Sequence, residues 1–200
     1  METLVKLLDL MSKIFCIGSN KTGTTTLTKM LSILEYNICP EHIMFEQKSK
    51  YFEQQLNGEY ENLFKLVELY DVFEDRPWNH IDFYKILDEK YPNSKFILTI
   101  RDTDNWIESY KRWNKSISLD KTWFYPIISN ICYGNTDFLN DEKTMRVKYE
   151  QRNYEIIKYF ENTNKLLIMD FEKNSGYNEL CGFLNKPLIK EKTPHLKKTK

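Results

Sequence analysis

Two hydrophobic patterns alternate along this 200-residue chain. The first consists of short, largely apolar runs: "KIFCIG" at 13–18, "YDVF" at 70–73, "KFILTI" at 95–100 and "KLLIM" at 165–169. Runs of this length, rich in branched and aromatic side chains, predict strands buried on both faces. "YNIC" at 36–39 predicts a weaker strand. The second pattern has the period of a helix. Leu27, Leu31 and Leu34 recur at i, i+4 and i+7, a stripe that faces a core. Helices are also predicted over 44–70, broken at "NGE" (57–59), and within "NHIDFYKILDEKY", where Ile81, Tyr84, Ile86, Leu87 and Tyr91 are roughly helical in spacing. Further helices are predicted over 103–115, 141–161 and "NELCGFL". Alternating strands and helices predict an α/β fold, a three-layer sandwich whose central parallel β-sheet is flanked by helices. No repeat, linker or low-complexity tract divides the chain, so residues 1–200 are read as a single domain. Residues 1–12, with Leu4, Leu7 and Leu8, predict an N-terminal amphipathic helix, and about 190–200 a flexible, lysine-rich tail.

Charge narrows the class of ligand. Lysine plus arginine and aspartate plus glutamate both number 29, so no global basic field points to nucleic acid or an anionic membrane surface. An anion site, if present, is local. The four cysteines, Cys16, Cys39, Cys132 and Cys181, form no C-x-x-C pair, and the three histidines are scattered, which predicts no metal centre. Idle thiols, apolar runs far shorter than the ~20 residues of a membrane helix, and an N-terminus unlike a secretory signal together predict a cytoplasmic protein without a membrane anchor.

Two stretches carry candidate chemistry. "GSNKTGTTTL" at 18–27 joins the first predicted strand to the first predicted helix. Gly18 and Gly23 have the spacing of a nucleotide triphosphatase loop, but Thr24 stands where that loop has lysine, and Lys21 precedes Gly23. Glycines here permit close backbone approach, helix-start N–H groups form an anion site, and Thr22, Thr24, Thr25 and Thr26 add hydroxyls. The second stretch is "ILTIRDTDNWIESY". Arg101 follows a strand directly, Asp102 or Thr103 can cap the next helix, and Ser109 lies two turns into it. A guanidinium there forks onto a phosphate or pairs with a neighbouring carboxylate. Gly18, Asp75, Arg101 and Asp170 all fall at the carboxyl ends of predicted strands, where open α/β sheets bind ligands.

"NKTGTTTL" followed by "IRDTDNWIESY" resembles the sulfotransferases that use 3′-phosphoadenosine 5′-phosphosulfate, with their K-[ST]-G-T-[TS] loop and their arginine and serine spaced as R-x-x-x-x-x-x-x-S. The resemblance extends to "EDRPW", "LLIMDFE" and "FLNKP" with its downstream "PH". It implies a P-loop NTPase-like sheet and a metal-independent, in-line transfer to a hydroxyl or amine. By position, Thr22, Gly23, Thr24 and Thr25 would hold the 5′-phosphosulfate, and Arg101 with Ser109 the 3′-phosphate. Lys21 would stabilise the leaving oxygen. Asp75, where cytosolic members carry a catalytic histidine, would be the base, with Glu74, His42 and His80 as substitutes. Thr26 stands where many members have an adenine-stacking tryptophan, so Phe171 or Trp106 would fill that role. The basic-glycine motif of those members is absent, and Lys190 or Lys192 would serve in its place. Trp123, Phe124 and Tyr125 would wall an acceptor pocket for a small molecule, glycan or peptide. Two other functions fit the loop: a small-metabolite kinase using Mg-ATP, and a nucleotide-binding protein without catalysis. Oligomeric state is not legible.

Overall fold

The computed structural model describes residues 12–40, 48–80, 82–115 and 140–194. The helix expected before residue 12, the candidate base His42, and the aromatic run Trp123, Phe124 and Tyr125 lie outside the described residues, as do Ile81, Cys132 and the last part of the expected tail. Within them the four strong apolar runs are strands: β1 (Ile14–Cys16), β2 (Val72–Glu74), β3 (Lys95–Ile100) and β4 (Leu166–Asp170). They pair in parallel in the order β2-β1-β3-β4. The helices are α1 (Thr24–Ile33), α2 (Lys48–Leu56), α3 (Glu61–Val67), α4 (Phe83–Lys90), α5 (Thr103–Lys115), α6 (Glu142–Phe160) and α7 (Tyr177–Phe183).

Strand pleating explains the three layers, because successive side chains point to opposite faces. Ile14, Cys16, Val72, Ile97 and Met169 pack against Leu27, Met30 and Leu31 of α1 and Leu180 and Cys181 of α7. On the other face Phe15, Ile17, Phe73, Phe96 and Leu98 meet Leu63, Leu66 and Val67 of α3, Leu87 of α4, and Ile156 and Phe160 of α6. Aromatic rings fill that second layer: Phe15 lies 5.2 Å from Phe73 and 5.6 Å from Phe96, and Phe96 lies 4.7 Å from Phe160. Runs without polar alternation are what a sheet covered on both sides requires.

The weak strand at 36–39 is reduced to one parallel bridge, Ile38 to Val72. Pro40 follows at once and has no N–H to extend the ladder. The long helical stretch divides where expected, α2 ending before the turn at Asn57–Gly58. In α4 the core-facing residues are Phe83, Tyr84 and Leu87, while Ile86 and Tyr91 are only half-buried.

The strand order positions the site. From β1 the chain steps to β2 on one side, then crosses back to β3 on the other. The order therefore reverses between β1 and β3, and sheets of this kind bind ligands in the crevice beyond the carboxyl ends at such a reversal. The loop after β1 and Arg101 after β3 flank that crevice.

Candidate functional site

The loop after β1 is built for close backbone approach. A Cβ on Gly18 would lie 2.0 Å from Thr99 Oγ1 and 2.8 Å from the Thr99 backbone, so only glycine lets the loop leave β1 pressed against β3. Gly23 is the N-cap of α1 in the left-handed region (φ 102), and a Cβ there would meet the Phe171 ring at 2.5 Å. Having no side chain, Gly23 caps nothing, and the first-turn N–H groups of α1, from Thr24, Thr25 and Thr26, are the positive end of that helix. The hydroxyls divide the work. Thr22 is buried and bonds inward, donating to the Ser19 carbonyl at 2.6 Å and sharing a hydrogen bond with Thr99 Oγ1 at 2.6 Å. Its side chain ties the loop to β3. Thr24 and Thr26 are buried, and Thr25 is half-buried.

Lys21 and Asp75 are distinguished by backbone geometry. Among the described residues, five non-glycine residues have positive φ: Lys21, Glu35, Asp75, Asn174 and Asn185. Glu35, Asn174 and Asn185 each follow a helical turn, where the left-handed conformation ends helices routinely. Lys21 (φ 72) and Asp75 (φ 61) end no helix. For a lysine this conformation costs roughly 1–2 kcal/mol, and such strain gathers at functional sites, whereas an aspartate adopts it more readily through local hydrogen bonds. The Lys21 ammonium sits over the Trp113 ring, 5.9 Å from its centroid. Asp75 Oδ1 accepts from its neighbour's N–H, Arg76 N, at 2.8 Å and from Asn20 Nδ2 at 2.7 Å. Asn20 thereby holds the carboxylate after β2 against the residue that precedes Lys21.

Arg101 directly follows β3, at the same end of the sheet. Its backbone is fixed by Tyr149 of α6, whose hydroxyl accepts from Arg101 N–H at 2.9 Å and donates to the Arg101 carbonyl at 3.0 Å. Asp102 caps α5, accepting from Asn105 N–H. The guanidinium is paired with a carboxylate: Nε and Nη2 each donate to Glu172 Oε1 at 2.9 Å. Asn105 Nδ2 donates to the other Glu172 oxygen at 3.1 Å. Ser109 is buried two turns further along α5. Both Phe171 and Glu172 belong to the 3₁₀ turn Phe171–Lys173 after β4, so one turn touches Gly23 with its ring and Arg101 with its carboxylate.

Four residues position the site through long-range hydrogen bonds that no local pattern in the sequence announces. Arg152, in mid-α6, donates from Nη2 to the Ile17 carbonyl at 2.7 Å and the Asn79 carbonyl at 2.9 Å. Asn79 Nδ2 donates to the Gly18 carbonyl at 3.1 Å. Trp106 Nε1 donates to the Asn20 carbonyl at 2.9 Å, with its ring stacked on Tyr149 at 4.2 Å. Asn20 is the fourth. Of the two aromatics expected near adenine, Trp106 is fully buried and stacked on Tyr149, while Phe171 is half-buried beside Gly23.

Glu74 and His80 lie near Asp75 on the same connection. Burial first, and then the Arg76 and Arg152 guanidinium groups, push the His80 imidazole down to about 4, with Asp82 opposing. His80 is therefore neutral at pH 7 and a weak base. Its folded pKa lies below the ordinary 6.5, so the unfolded chain binds the extra proton between pH 6.5 and 4, and the stability held above pH 6.5 is lost as pH falls through that window. Denaturation at pH 7 and pH 4.5 should show His80→Gln losing roughly 2–3 kcal/mol less than wild type over this interval. Equal losses would mean that His80 is not held neutral by the fold.

Among the described residues no group of three or more His, Cys, Asp or Glu side chains could hold a metal ion, and no helix is long and apolar enough to cross a membrane. Cys16, Cys39 and Cys181 are free and buried.

The model of a sulfotransferase domain family matches residues 13–200. A curated relative, the DNA-directed RNA polymerase subunit beta'' of Oedogonium cardiacum, is 26% identical over 137 residues. That match covers 64% of this chain but only 5% of the polymerase subunit, so the chain spans a twentieth of that protein's length.

Proposed function

The chain belongs to the sulfotransferase domain family, and from that premise we propose that it moves a sulfuryl group from 3′-phosphoadenosine 5′-phosphosulfate to a hydroxyl or amine of an acceptor. One observation carries this reading. The glycine loop and the Arg101 guanidinium flank the crevice between β1 and β3, and a single turn, Phe171–Lys173, contacts both. A nucleotide with anionic groups at both its 5′ and 3′ positions suits that pair of donors, and the donor set tests well chemically. Gly23 offers backbone without a side chain, the α1 terminus favours negative charge, and a guanidinium forks onto phosphate.

In this reading Gly18, Gly23 and the N–H groups of Thr24, Thr25 and Thr26 hold the 5′-phosphosulfate, with Thr25 Oγ1 as a further donor. Thr22 contributes backbone, since its hydroxyl is already bonded to Ser19 and Thr99. Arg101 and Ser109 hold the 3′-phosphate, and Phe171 lies against the adenosine. Asp75 takes the acceptor's proton as its oxygen or nitrogen bonds to sulfur, while the bond from sulfur to the phosphate oxygen breaks. Lys21 neutralises the charge that this oxygen gains, leaving adenosine 3′,5′-bisphosphate. The free thiols suit a reducing, cytoplasmic setting. The acceptor is a small molecule, glycan or peptide group that meets Asp75 in line with the sulfur.

Thermal shift tests this against the kinase reading. At a hundredfold excess over its Kd, adenosine 3′,5′-bisphosphate should raise Tm by roughly 5–10 °C without metal. ATP with magnesium should raise it less. A larger shift with Mg-ATP would favour the kinase, and bisphosphate binding without transfer to any acceptor would favour a non-catalytic nucleotide binder.

A further inference from the structure

Three donors from the start of α5 converge on one carboxylate, Arg101 Nε and Nη2 at 2.9 Å and Asn105 Nδ2 at 3.1 Å, all on Glu172. This set of donors suits a tetrahedral oxyanion as well as a planar one, since a guanidinium presents the same fork to phosphate and carboxylate. We infer that Glu172 is a specificity-determining residue of the 3′ subsite, an internal counter-anion in the Arg101 fork that a 3′-phosphate displaces and a bare 3′-hydroxyl does not. The inference rests on the donor assignment proposed above.

The turn is constructed to aim this side chain while leaving it able to swing. Its backbone is fixed: Asp170 Oδ1 accepts from Glu172 N–H at 3.0 Å, and Asp170 N–H donates to Ser175 Oγ at 2.9 Å. The side chains of Arg101 and Glu172 remain 27% and 36% exposed, so the ion pair is screened by water and cheap to break. A doubly charged phosphate entering the fork gains stronger charge-assisted bonds than the single carboxylate gives up. Carboxylate and phosphate repel, so they do not share the guanidinium and Glu172 turns outward. An adenosine nucleotide with only a 3′-hydroxyl brings no charge to drive this exchange. Arg101 then stays on Glu172, and the nucleotide is held by the glycine loop alone. Discrimination therefore arises from competition within the protein as well as from attraction to the ligand.

Isothermal calorimetry with adenosine 3′,5′-bisphosphate and adenosine 5′-monophosphate, on wild type, Glu172→Gln and Glu172→Ala, tests this. Both variants should bind the bisphosphate roughly five- to tenfold tighter than wild type, with 5′-monophosphate affinity within about twofold. Because the residue is exposed, both variants should fold, which circular dichroism checks. An equal gain for both nucleotides would reduce Glu172 to a diffuse charge. Weaker bisphosphate binding would make it a support for Arg101, and weaker monophosphate binding an acceptor for a ribose hydroxyl; each of these overturns the inference. Wild type that binds bisphosphate, with variants that bind it no better, sinks this inference alone. Failure of all three proteins to bind bisphosphate sinks the donor assignment and the inference with it.

Discussion

Replacing Lys21 by methionine is expected to lower kcat roughly 10²- to 10³-fold while leaving the KM for the phosphosulfate donor within about threefold. Methionine keeps the unbranched stem and removes only the charge. The ammonium now lies 5.9 Å from the Trp113 centroid, on a residue held at φ 72. In the proposed reaction its effect is concentrated where the oxygen between phosphorus and sulfur gains charge, in the transition state and the bisphosphate product, so the rate should fall much further than donor binding. The backbone donors at the start of α1 remain in place and account for the residual affinity. A steady-state assay of donor consumption that yields kcat and donor KM for the same variant separates the two effects. A raised donor KM with kcat unchanged would make Lys21 a binding residue only. Asp75→Asn in the same assay should also lose rate with binding preserved, and full activity there would pass the base to Glu74 or His80.

The sequence made the scaffold legible where one physical cause acted alone. Largely apolar runs such as "KFILTI" could be stable only with both faces covered, and β3 is buried between two helical layers. At 36–39 two causes competed: the apolar residues favour a strand, but Pro40 ends the ladder after one bridge. Glycines at 18 and 23 were legible as places of close approach, although what approaches them, Thr99 of β3 in one case and Phe171 of the turn after β4 in the other, comes from segments far along the chain.

The site was legible where backbone chemistry builds it and hidden where long-range side chains do. Arg152 is one of many charged positions along α6, and nothing local distinguishes it; only the helix's path across the sheet brings its guanidinium to Ile17 and Asn79. Asn20 reads as an ordinary loop residue until β2 places Asp75 2.7 Å from its amide. Trp106 has the spacing of a core residue, which it is, yet its indole N–H also reaches the loop at Asn20. Arg101 had two readings, a phosphate fork and a partner for a nearby carboxylate. The carboxylate is Glu172, more than seventy positions later in "DFEK" and so invisible to any local pattern. The same long-range contact connects the two halves of the candidate site, since Phe171 beside it lies on Gly23.

That connection is the centre of the account: one nucleotide is held at both ends, by the glycine loop after β1 and by the guanidinium after β3. Arg101→Ala removes one end and leaves the other intact. Charge-assisted bonds to a phosphate of this kind are worth about 1.5–3 kcal/mol, so the loss should be large and confined to ligands that carry the second phosphate. Titration calorimetry of wild type and Arg101→Ala with adenosine 3′,5′-bisphosphate and adenosine 5′-monophosphate is the most direct measurement. The account predicts that wild type prefers the bisphosphate, that Arg101→Ala binds it roughly 10- to 100-fold more weakly, and that monophosphate affinity changes less than about threefold. A variant that kept the wild-type preference for the bisphosphate, or lost both nucleotides equally, would contradict it.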